Sequence, residues 1–129
     1  MGGLKTLAVA LFLLPAAGTQ AQTNLSADGQ LRFFATCAGR LSALVEHQWM
    51  FDGPASDRTE AARTQLLDII GAILPAGREV EVLNWRIDAK SAHARLLYRA
   101  VFNEDPDDAA WAHRLAARQT AVCRSFLLS

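Results

Sequence analysis

The chain has 129 residues, with 13 basic and 13 acidic side chains and a formal charge of zero. That balance excludes a nucleic-acid binder working through a basic surface, and so short a chain builds one core, not two domains. Its two cysteines form no C-x-x-C or C-x-x-C-H arrangement, which excludes haem attachment and a dithiol redox motif.

Residues 1–21 read as a targeting segment. Lys5 precedes an apolar run from Leu7 to Leu14, Pro15 breaks it, and Thr19-Gln20-Ala21 ends in a small residue. This layout predicts a secretory signal peptide cleaved between Ala21 and Gln22. The run is too short for a membrane helix, which needs ~20 apolar residues. No other stretch is long and apolar enough, so the mature chain 22–129 is expected to carry no membrane span. Export places the protein in the bacterial periplasm or outside the cell. There an even pair of cysteines far apart in sequence, Cys37 and Cys123, predicts a disulfide bond.

Almost every later segment has helical period, and alternating strand patterns are nearly absent. Helix one is expected over 28–51, with Leu31, Phe34, Ala38, Leu41, Val45 and Gln48 on its inner face. Asp52-Gly53-Pro54 ends it, because proline cannot continue a helix. Helix two is expected over 57–74. Asp57 is its N-cap, Glu60 completes a capping box, and Ala62, Leu66, Ile69, Ile70 and Ile73 form its apolar side. Pro75-Ala76-Gly77 closes it.

Helix three is expected over 78–102, with Glu79 and Glu81 in a first turn that favours negative charge. Val80, Leu83, Ile87, Ala94, Leu97, Tyr98 and Val101 share its face. Helix four is expected over 106–127. Asp105 is its cap, Pro106 takes the first helical position and two acids follow. Its stripe is Ala112, Leu115, Ala116, Gln119, Val122, Cys123 and Phe126. Short connections then give an all-α protein, an antiparallel up-down-up-down four-helix bundle. In that topology helices one and four are neighbours, and the two cysteines fall at similar heights.

The candidate sites are few. Within the stretch VEHQWMF (45–51), Glu46 and His47 lie ~120–140° from the inner stripe, and Gln48 points inward. Gln48 and Gln119 are expected to hydrogen-bond inside the core. The three histidines, His47, His93 and His113, lie at one level but point outward, which predicts three surface residues and no shared metal. His47 and Met50, three apart, form a possible soft copper contact. The four acids of 103–108 could offer oxygens to Ca²⁺, but capping accounts for Asp105, Asp107 and Asp108, and the spacing of a calcium loop is absent. Trp49 and Trp111 lie at the same end of the bundle on neighbouring helices and form a candidate aromatic patch for a partner. Trp85 is expected to be partly exposed, and the alanine-rich face of helix four packs on helix one or on a second copy.

No nucleophile elbow or catalytic cysteine signature appears. The sequence therefore predicts a non-catalytic binding or accessory protein of the envelope, with no cofactor. It acts on an unidentified protein partner or by self-association. A periplasmic copper- or zinc-handling protein is the alternative, and a small enzyme the third reading.

Overall fold

A computed structural model of the chain describes residues 2–3 and 25–127. Apart from Gly2 and Gly3, the expected signal peptide lies outside the described residues. The rest forms four helices: α1 (Ala27–Phe51), α2 (Gly53–Ile73), α3 (Glu79–Phe102) and α4 (Pro106–Ser125). Among the described residues there is no strand, and no helix is long and apolar enough to cross a membrane.

The junction of α1 and α2 departs from expectation. Asp52 alone separates them, serving as C-cap of α1 and N-cap of α2. Its side chain accepts from Ala55 N at 3.1 Å. Pro54 lies in the first turn of α2, where a missing N–H costs nothing. The proline starts a helix here instead of stopping one. Asp57, the expected cap, is therefore already inside α2, and Glu60 pairs with Arg63 instead of closing a capping box. At the next connection Gly77 adopts φ 86°, the left-handed conformation that glycine takes without penalty.

Helix α1 is the centre of the molecule. Its buried residues Leu31, Ala35, Cys37, Ala38, Gly39, Leu41, Ala43 and Val45 run most of the way round its axis, the signature of a helix enclosed by others. It packs against α2, α3 and α4. Leu66 and Ile70 of α2, Val82 of α3 and Cys123 of α4 complete one core cluster around it. Leu96, Leu97, Ala112 and Ala116 form a second around Ala43.

The contact of α1 with α3 is the closest. A methyl group added at Gly39 would overlap the Arg86 carbonyl oxygen and lie 2.9 Å from Ala89 Cβ. Small residues at the crossing bring the two backbones together. This changes which side of α3 faces in. Val82, His93, Leu96 and Leu97 are buried, while Val80, Leu83, Ile87, Tyr98 and Val101 of the expected stripe are exposed. The four helices thus do not share one seam equally: three are arranged on a central fourth. The Cys37–Cys123 disulfide fastens α4 to α1, with the Cα atoms 5.3 Å apart.

Candidate functional site

A groove of about 560 Å³ lies between α1 and α4 and is lined also by α3. From α1 and its cap come Leu44, His47, Gln48, Phe51 and Asp52; from α3 Leu97, Ala100 and Val101. From α4 come His113, Ala116, Ala117, Thr120, Ala121 and Arg124. The groove exists because α4 offers alanines, at 116, 117 and 121, where larger side chains would fill the space against α1. The disulfide below it fixes the spacing of the two walls.

The polar groups of the groove have distinct states. His47 is half-buried and its ring lies 4.8 Å from that of Phe51; burial holds its pKa below the ordinary imidazole value. Gln48 Oε1 is buried with no hydrogen-bond partner. Asp52 is occupied in capping α2. Arg124 donates from Nη2 to Thr59 Oγ1 on α2 at 2.6 Å. Its Nε is sealed from solvent without a partner. No carboxylate among the described residues lies within ion-pair distance of this guanidinium, whereas Arg63, Arg78, Lys90 and Arg99 each have one.

The histidines do not all point outward. His93 is 1% exposed, and its Nδ1 lies 3.1 Å from Gln119 Oε1. The expectation of three surface histidines fails at this residue because the crossing at Gly39 rotates that face of α3 inward. Gln119 is inward as expected, and its partner is His93. His47 and His113 line the groove, whereas His93 lines a separate crevice with Thr36 and Arg40. Among the described residues no group of three His, Cys, Asp or Glu is placed to hold a metal ion.

His47 and Met50 line one hollow of about 270 Å³ with Tyr98 and Phe102 of α3, whose rings are 4.9 Å apart. Trp49 is 68% exposed and Trp111 43%, but they occupy different surroundings. Trp49 lines a cleft with Glu60 and Arg63 of α2 and Leu83 and Arg86 of α3. Trp111 carries the Arg99 guanidinium 5.1 Å from its ring centroid, and Asp108 holds that guanidinium. Trp85 is half-buried between Arg32 and Arg78. Asp105 and Asp108 are engaged locally: Asp105 caps α4 through Asp107 N and Asp108 N, Asp108 accepts from Arg99, and Asn103 accepts from Asp105 N.

Sequence reasoning passed over Arg124, Thr59 and the groove itself. The signal available was the alanine run of helix four, which was expected to be packed against a neighbour; its small side chains instead leave part of that contact open. Comparison of the chain with protein-family models, curated proteins and solved structures returns no match.

Proposed function

We propose that the protein is an exported, non-catalytic binding protein of the bacterial envelope that holds its ligand in the groove between α1 and α4. Residues 1–21 are a cleaved signal peptide, and 22–129 is an up-down-up-down bundle in the periplasm or outside the cell. The observation that carries the reading is the groove: about 560 Å³, mostly apolar, with a few polar groups at its margins, the character of a small-molecule site. The layout around Lys5 and Leu7–Leu14 supports export, as does a disulfide closing most of the domain, a bond that persists in oxidising compartments. The one-residue junction at Asp52 and the short connection before α4 support the antiparallel order.

The test uses the oxidised chain 22–129 and a neutral phenylnaphthylamine dye. Wild type raises the dye's fluorescence, and Ala117→Phe, which fills the groove, abolishes the rise. Equal fluorescence with the filled groove overturns the reading.

A second reading has its own observation: His47 and Met50 line one hollow, a soft pair for Cu²⁺ or Zn²⁺ handling. Micromolar binding of either ion that is lost in His47→Ala would place it above the first. The exposed Trp49, beside Met50 and Phe51, is the part of the expected aromatic partner patch that remains a candidate for contact with another protein or a second copy.

A further inference from the structure

We infer that the groove between α1 and α4 takes an amphipathic anion, a free carboxylate on an apolar acyl chain, with Arg124 binding the carboxylate. The inference rests on the binding role proposed above and names the chemistry of the ligand.

The starting point is the state of Arg124. Among the described residues three guanidinium groups are half-buried without an ion-pair partner, those of Arg40, Arg86 and Arg124. Arg124 alone of these lines the large groove. One of its three nitrogens, Nη2, donates to Thr59 Oγ1, and Nε is sealed without a partner. Thr59 is itself fully buried on α2, so it holds the guanidinium rather than following it. Neither Nε nor Nη1 has a protein acceptor among the described residues, and of these two only Nη1 is not sealed. A cation withdrawn from water and given no counter-ion is costly. A ligand carboxylate supplies both the missing charge and a charge-assisted hydrogen bond.

The rest of the groove fits the remainder of such a molecule. Leu44, Leu97, Ala116 and Ala117 line it with apolar surface and little bulk. Along α4 the lining extends from Arg124 to His113, which at 1.5 Å per residue is ~16 Å. That length suits an extended acyl chain of medium size. The charges orient it. Asp52 is the one acid of the lining and caps α2, seven residues before the Thr59 that holds Arg124. A carboxylate is attracted to Arg124 and repelled from Asp52. A cationic amphiphile would bring like charge to Arg124, and a neutral one would leave it unpaired.

The experiment displaces the neutral dye from oxidised 22–129 with decanoate, decanol and decyltrimethylammonium near neutral pH. Decanoate is expected to compete at about tenfold lower concentration than decanol, the ratio that one charge-assisted hydrogen bond supplies. The cation competes least. Arg124→Gln removes the advantage of decanoate and leaves decanol unchanged, while Arg124→Lys keeps part of it. Helical circular dichroism checks that each variant folds; if Arg124→Gln does not fold, the wild-type ratio and Arg124→Lys decide. Equal competition by decanoate and decanol in wild type overturns the ligand class while the groove stands. So does an advantage of decanoate that survives in Arg124→Gln. A dye that never enters the groove overturns the binding role first, and this inference with it.

Discussion

His93 Nδ1 and Gln119 Oε1 meet at 3.1 Å inside the protein, joining α3 to α4. Nδ1 donates to the amide oxygen, which leaves Nε2 a buried acceptor with no partner. Burial holds the pKa of His93 below the ordinary value of 6.5; the Gln119 hydrogen bond acts the other way, and the nearby Arg40 and His47 lower it further.

The sign of the resulting pH dependence follows. In the unfolded chain His93 takes up a proton as pH falls through about 6.5, while in the folded chain it stays neutral to lower pH. The stability from burying the neutral ring is therefore full above about 6.5 and declines as pH drops from there toward the folded value. Thermal melts between neutral and mildly acidic pH should show a falling Tm in wild type. His93→Gln should flatten this slope, leaving the part that belongs to His47, shifted in the same direction. An unchanged slope in His93→Gln would refute the assignment.

Gly39→Ala should destabilise the protein although alanine favours helices. The added methyl has no room against the Arg86 carbonyl and Ala89. Overpacking of this kind costs about 1–3 kcal/mol, with Tm lowered by roughly 4–8 °C for each kcal/mol in a domain of this size. Gly71, where an added Cβ meets nothing within 4 Å, is the control: Gly71→Ala should hold or raise Tm.

Reduction of the Cys37–Cys123 bond should lower stability by about 4 kcal/mol in the loop-entropy account, since the bridge spans 86 positions. Melts with and without reductant measure it. Cys37→Ser and Cys123→Ser should each resemble the reduced protein, and the double variant should be no worse than either alone.

The position of the α2 cap is open to a simple comparison. Asp52→Ala removes the acceptor for Ala55 N and should cost about 1 kcal/mol, whereas Asp52→Asn should cost far less. Asp57→Ala, at the residue that the sequence suggested as cap, should stay within about 0.5 kcal/mol because Asp57 is exposed inside the helix. Chemical denaturation of the three variants distinguishes the two positions.

Residues near one another in sequence decided much of this protein. Turn-by-turn recurrence of apolar residues marked four helices, Asp105 with Pro106 marked the start of the last one, and the two cysteines announced their bond. These are local signals, written in spacing and in capping chemistry. The facing of α3, the burial of His93 and the groove were not legible in this way. They depend on how closely two helices approach, and that was set by Gly39 meeting Ala89, two small residues 50 positions apart with no signal of their own. Once they met, the apolar stripe of α3 lost its place to a different face, α1 became the enclosed rod, and the alanines of α4 left a channel beside Arg124. A helix's existence is a property of its own segment, but the direction in which it looks is a property of its neighbours.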